Sequence, residues 1–149
     1  MKNSLSTTLF GFLVLILSYT AYAAEEPKVF GNYNIYYNTV STKTIPAEVA
    51  RNYGVIRSAN RALLNIAVKK VVSDSSKIAV LANVTATATN LSNQTKSIDM
   101  QRVQEGDAIY YIGVFTITNA ETLKFSVTVD PENKGNATEI TFNQEFFVD

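Results

Sequence analysis

The best carboxylate pair in this sequence is Glu105 and Asp107, flanking Gly106 just ahead of Tyr110. Two carboxylates so near one another can divide acid and base roles. One protonates a leaving group while the other activates water or attacks, as in glycoside hydrolysis. Carboxylates in a turn before a strand are more often solvated or bonded to neighbouring backbone N–H groups, so plain turn chemistry explains them too. A second stretch, Asp130-Pro131-Glu132-Asn133-Lys134-Gly135-Asn136, is rich in oxygen donors of the kind calcium takes. It departs from the EF-hand pattern, because Lys134 stands where an acidic or amide ligand is wanted, and a hairpin loop accounts for the same residues. Positive charge gathers at Arg51, Arg57, Arg61, Lys69 and Lys70. The forked guanidinium groups of Arg57 and Arg61 suit an anionic ligand. The reading preferred on charge balance is that they pair with Glu105, Asp107 or Asp99 and pin the chain locally.

Absences bound the rest of the chemistry. The 149-residue chain has no histidine and no cysteine. Serine–histidine and cysteine–histidine nucleophiles are therefore impossible, and zinc and copper lose their usual ligands. No metal site and no cofactor is expected. Basic and acidic residues balance at 13 each. No concentrated basic face suggests nucleic acid as a partner, and no polybasic cluster suggests an anionic membrane.

The N-terminus carries an address. Met1-Lys2 gives a positive start, the run from Leu9 to Leu17 an apolar core, and Ala21-Tyr22-Ala23 a small-x-small cleavage site. Residues 1–23 read as an export signal, cleaved after Ala23, with residues 24–149 as one domain. The apolar run is short for a spanning helix, so the membrane is a partner only if this segment stays uncleaved. The Asn-x-Ser/Thr triplets at Asn83, Asn90, Asn93 and Asn136 read as accidents of composition.

The elements that must position the candidate residues follow a period close to two. Tyr33, Ile35 and Tyr37 define a first strand, and Ala62, Leu64, Ile66 and Val68 a second. A long third runs from Lys77 towards Asn90, Ile98 and Met100 mark a fourth, and Tyr110 to Ile117 a fifth buried on both faces. Leu123 to Val129 and Ile140 to Val148 supply the sixth and seventh. Gly113, inside the fifth, suggests a bulge or a close approach of another backbone. About seven short strands separated by turn signals predict an antiparallel immunoglobulin-like β-sandwich, with a closed barrel as the alternative. A pilin-like subunit lacking a strand fits less well with a complete set.

One segment breaks the alternation. Pro46 to Gly54 has proline at a first helical position and glycine at a C-terminal stop, which predicts a short helix with Val49 and Tyr53 on its packing side. This excursion is expected either to cap one open end of the core or to carry a ligand or partner site made of Tyr53, Arg57, Ser58, Asn60 and Arg61. Glu105, Gly106, Asp107 and Tyr110 are candidates for a structural role, with Tyr110 spaced for a tyrosine corner. Tyr36, opposite the face of Ile35 and Tyr37, is a further candidate for a recognition surface.

Several runs together carry a resemblance: Phe30-Gly31-x-Tyr33-x-Ile35-x-Tyr37-Asn38, Tyr53-Gly54-x-x-Arg57-Ser58-x-Asn60-Arg61, Thr87-Ala88-Thr89-Asn90-Leu91, Glu105-Gly106-Asp107-Ala108-Ile109-Tyr110-Tyr111-Ile112, Asn119-x-Glu121-Thr122-Leu123-x-Phe125 and the terminal Phe147-Val148-Asp149. They resemble a family of small exported proteins of Gram-negative bacteria catalogued only as a domain of unknown function. The resemblance covers essentially all of residues 24–149. It implies a periplasmic, immunoglobulin-like domain, and it brings no activity, ligand or catalytic residue with it. The expected function is thus a periplasmic non-catalytic binding or interaction module, contacting an unidentified periplasmic protein or small ligand. The alternative is a metal-free hydrolase using carboxylate and tyrosine groups.

Overall fold

The computed structural model describes residues 26–148, so the expected export segment and its cleavage site lie outside the described residues. Alternating apolar residues have folded into ten strands. One sheet holds six: β1 (Lys28–Phe30), β2 (Tyr33–Ser41), β3 (Arg61–Ser73), β4 (Ser76–Ala79), β7 (Gln101–Glu105) and β8 (Ala108–Thr116). Its order is β1-β2-β3-β8-β7, and β4 pairs with the far end of β3, past the last rung of β8. The other sheet has the order β10-β9-β5-β6, from β5 (Ala82–Asn90), β6 (Thr95–Ile98), β9 (Glu121–Pro131) and β10 (Thr138–Phe146). Every pairing is antiparallel. Two separate sheets make this the expected sandwich and not a barrel.

Residues two apart on each strand meet between the sheets. Ile35, Leu64, Ile66 and Val68 come from the larger sheet, and Leu123, Phe125, Val127 and Val129 from the smaller, all at 0–1% exposure. Phe125 is the hub of an aromatic row. It stacks on Phe142 at 4.8 Å and meets Phe115 edge-on at 5.2 Å, while Tyr37 packs on Phe142 from the opposite sheet at 4.8 Å. Each such pair adds about 0.5–1.5 kcal/mol beyond the area it buries. Tyr111 adds a polar tie inside the core, its hydroxyl accepting the Ala82 N–H at 2.8 Å across the two sheets.

The expected third and fourth strands each prove to be two. The chain leaves the larger sheet after β4 and enters the smaller as β5, then returns between β6 and β7. The first crossing preserves the inward set, with Val80 and Ala82 both buried, whereas beyond the second the buried residue of β7, Val103, faces the outer cluster. Where a strand changes sheets with the same side kept towards the core, period-two alternation passes through without a mark. β1 is a further strand that the alternation did not reveal, being three residues long.

Gly113 is where the return crossing is accommodated. A Cβ built there would lie 2.5 Å from Ile98 Cγ2, 2.6 Å from Met100 Sδ and 3.0 Å from the Asp99 carbonyl oxygen. The close approach of another backbone is therefore real, and glycine is what permits it. Gly113→Ala is expected to cost about 1–3 kcal/mol through overpacking, measured as a lower denaturation midpoint with an unchanged m-value.

Candidate functional site

The excursion between β2 and β3 lies on the outer face of the larger sheet, not over an open end of the core. A single 3₁₀ turn (Thr42–Thr44) leads to Ile45, Pro46 and the helix α1 (Ala47–Asn52), which Gly54 ends at φ +67°. Ile45, Val49 and Ala50 are buried against Leu63, Val103 and Ile112, with Tyr53 and Val55 beside them. This second apolar cluster explains why the fifth expected strand, β8, is buried on both faces.

Thr42 closes the base of the excursion. It is 0% exposed, and its Oγ1 accepts the Ser58 N–H at 2.9 Å. The single proton of the same hydroxyl is shared between the carbonyl oxygens of Ser58 (3.0 Å) and Arg61 (3.2 Å). A second rung follows, where Arg57 Nη2 donates to the Lys43 carbonyl at 3.0 Å. Asn60 N–H donates to Ser58 Oγ at 3.1 Å, and Ile117 N–H to the Asn60 carbonyl at 2.9 Å. Segment 43–57 is thus an Ω-loop, its ends held together and its interior filled by its own side chains. Ser58, Asn60 and Arg61 meet at the base, while Arg57 is drawn back over the 3₁₀ turn. Among the described residues the ion pairs join Glu132 to Lys70 and to Lys134, so pairing of Arg57 or Arg61 with Glu105, Asp107 or Asp99 is not what pins the loop. Nothing in the sequence singled out Thr42.

Tyr53 sits apart from these residues. It lines a cavity of about 30 Å³ between α1 and the sheet, together with Asn38, Val40, Leu63, Asn65 and Ile112 among others. Its hydroxyl is buried with no hydrogen-bond partner, the one such side-chain atom among the described residues. Asn65 Nδ2 donates to Asn38 Oδ1 at 3.1 Å in the same wall.

The Glu105–Tyr110 turn has different surroundings. Glu105 is half-buried and Asp107 exposed, and neither lines this cavity or the open groove on the outer face of the smaller sheet. Burial pushes the Glu105 carboxyl up. Burial, with the Glu105 charge, pushes up the Tyr110 hydroxyl. Tyr110 packs into the second apolar cluster, and the hydroxyl-to-backbone bond of this strand belongs to its neighbour Tyr111. Tyr36 lies on the outer face, with the Lys69 ammonium 5.5 Å from its ring centre and Lys77 Nζ donating to its hydroxyl at 3.4 Å.

The strongest electrostatic feature lies in the loop whose sequence reads as a hairpin turn. Asp130 builds the turn after β9, its carboxylate accepting the N–H groups of Lys134, Gly135 and Asn136 at 2.9–3.2 Å. Those bonds occupy the oxygens a calcium ion would need. Glu132 and Asn133 take left-handed backbone conformations at φ +59° and +54°. Glu132 then reaches across to the larger sheet. Its carboxylate accepts the Tyr33 hydroxyl proton and bonds to Lys70 at 3.2 Å and Lys134 at 2.9 Å. Those partners, Tyr33 first, hold the Glu132 carboxyl down at about 2.

Two outcomes follow from these contacts. Thr42→Val removes the partner of the half-buried Ser58 N–H and is expected to cost about 1 kcal/mol, read from urea unfolding. The Glu132 pKa is lowered by folding, so its contribution is complete above the ordinary value of 4.5 and disappears as pH falls towards about 2. Glu132→Gln should therefore show a flatter fall in unfolding midpoint than the wild type across that interval.

Comparisons with known proteins place the chain. The family model described as Domain of unknown function (DUF4426) matches residues 27–149. Among solved structures, a DUF4426 family protein of Pseudomonas aeruginosa is 28% identical, with a TM-score of 0.73 over 86% of this chain and 98% of its own. FetP of uropathogenic Escherichia coli, recombinantly expressed in the periplasm, is 11% identical, with a TM-score of 0.61 over 85% and 95% of the two chains. A copper-bound variant of FetP is 12% identical, with a TM-score of 0.58 over 83% and 95%. The FetP likeness is one of fold. No curated protein matches the chain. Copper does not fit the donors here, since imidazole and thiolate are absent from the whole chain and the described residues hold no metal-sized group of carboxylates. The matched family model, spanning nearly all of the described residues and accompanied by a solved member of the same fold, makes this chain a member of the DUF4426 family, a domain of unknown function.

Proposed function

We propose that this protein is a non-catalytic binding module exported to the periplasm, an immunoglobulin-like sandwich that engages a protein partner through its Ω-loop. The observation carrying this reading is an exposed pair of residues where the loop rejoins its base. Ile56 is 61% exposed beside an exposed Arg57, on a base locked by the fully buried Thr42. A contact residue on a pre-ordered loop loses little conformational freedom on binding, so its buried area converts efficiently into affinity. Ile56 supplies the apolar anchor. Arg57 spends one nitrogen on the Lys43 carbonyl and keeps further N–H donors for acceptors on the partner. A periplasmic setting agrees with the export-type N-terminal sequence and with the periplasmic expression of FetP. A hydrolase reading lacks a cleft: the partly buried Glu105 and the exposed Asp107 face no described cavity.

Ser58 is tied into the loop base, so the probe belongs at Ile56. A photoreactive residue at Ile56 should yield a specific adduct in living cells, absent when the probe replaces the exposed Thr141 on the opposite sheet. Adducts of the same kind from both positions, or none from Ile56, would overturn the assignment of the contact surface.

A further inference from the structure

The cavity under α1 has a composition that a purely structural contact does not need. Its walls are apolar along Val40, Ile45, Val49, Leu63 and Ile112. Three neutral polar residues, Tyr53, Asn38 and Asn65, also belong to its lining, although the surface they turn to the closed cavity is almost wholly apolar. The Asn38–Asn65 bond uses one N–H and one lone pair, leaving other amide positions unspent. The Tyr53 hydroxyl has spent nothing, although it is buried. A buried donor without a partner is costly, and phenylalanine at this position would avoid that cost. No charged residue lines the cavity.

We propose that the Ω-loop is a lid over a site for a small neutral amphiphile, a molecule with a short apolar body and one carbonyl or hydroxyl oxygen. The Tyr53 hydroxyl donates to that oxygen, the Asn38 and Asn65 amides flank it, and the apolar body lies between α1 and the sheet. As it stands, the cavity of about 30 Å³ has room for water only, so entry requires α1 to rise. The loop is built for that movement. α1 is six residues long, without a side-chain cap at either end, and helices so short depend on packing for their stability. The ties of the excursion to Thr42 and Lys43 are concentrated at its base, so the helix can lift while they hold. A carboxylate head is excluded by the same chemistry, since no cation would compensate its burial.

Hexanamide and hexanoate separate these expectations, followed by methyl and amide chemical shifts in the full chain. Hexanamide should give saturable shifts at Val49, Leu63 and Ile112, with hexanoate at least tenfold weaker. Tyr53→Phe should weaken hexanamide about fivefold through the lost hydrogen bond, with no fall in melting temperature. Ala50→Leu, which fills the space, should abolish binding. Absence of saturable hexanamide binding, equal binding of hexanoate, or undiminished binding by Tyr53→Phe would each overturn the proposal. Tyr53→Phe deletes only an unpartnered atom, so it keeps the test decisive if Ala50→Leu does not fold. The titration requires no protein partner, and its outcome is independent of crosslinking from Ile56.

Discussion

From Ala62 to Val68, strand β3 is buried on both faces, and most of the molecule is arranged to satisfy that burial. Leu64, Ile66 and Val68 face the second sheet, whose aromatic row around Phe125 fills the interior. Leu63 faces the other way, where a strand in a two-sheet sandwich would ordinarily meet water. It cannot be left there together with Ile112 and Val103, and the Ω-loop is what covers them. The loop that breaks the strand pattern is therefore part of the structural solution. Its helix forms because Val49 and Ala50 have an apolar face to land on, since six residues without caps would not hold a helix alone.

Polar groups do the locating that apolar contacts cannot. Hydrophobic burial is non-directional, and it would allow the loop to slide over the sheet and the sheets to slide past one another. Thr42 fixes the loop by bonding both backbone groups of Ser58. Tyr111 fixes one sheet to the other through the Ala82 N–H. At the end of the sandwich Glu132 bridges the sheets by gathering Tyr33, Lys70 and Lys134. The left-handed backbone at Glu132 and Asn133 is unfavourable for non-glycine residues, and the Asp130 carboxylate holds the turn in that shape. These are single, directional contacts, each placed where a register must be set.

The same economy bears on function. Histidine and cysteine, the usual partners of a nucleophile dyad and the usual ligands of copper and zinc, are absent from the chain, and the fold it shares with FetP does not bring FetP's copper with it. The features left over are an exposed Ile56–Arg57 pair at the closing end of a braced loop and, under the loop's helix, an uncharged cavity beside an unpartnered phenol. Both belong to the one segment, among the described residues, that is neither strand nor tight turn.

The alternation of Tyr33 to Tyr37, of Ala62 to Val68 and of Leu123 to Val129 determined strands with one committed inner face, because a pleated strand sends successive side chains to opposite sides. Pro46 and Gly54 likewise bracketed the helix by their backbone preferences alone, and Gly113 declared a close approach. What alternation could not register is a strand that changes sheets while its inner residues stay inner, as at the break between β4 and β5; β7 is hidden for another reason, since it buries only Val103, and on the outer side. The site was legible only in outline. Tyr53 to Arg61 could be marked as an irregular stretch, but whether Arg57 meets a carboxylate or a backbone carbonyl depends on residues distant in sequence. Thr42 and Ser58 are 16 apart, and Tyr33 and Glu132 are 99 apart. Local residue preferences fix the elements, whereas which hydroxyl meets which backbone group, and which phenol meets none, is decided only when those elements pack.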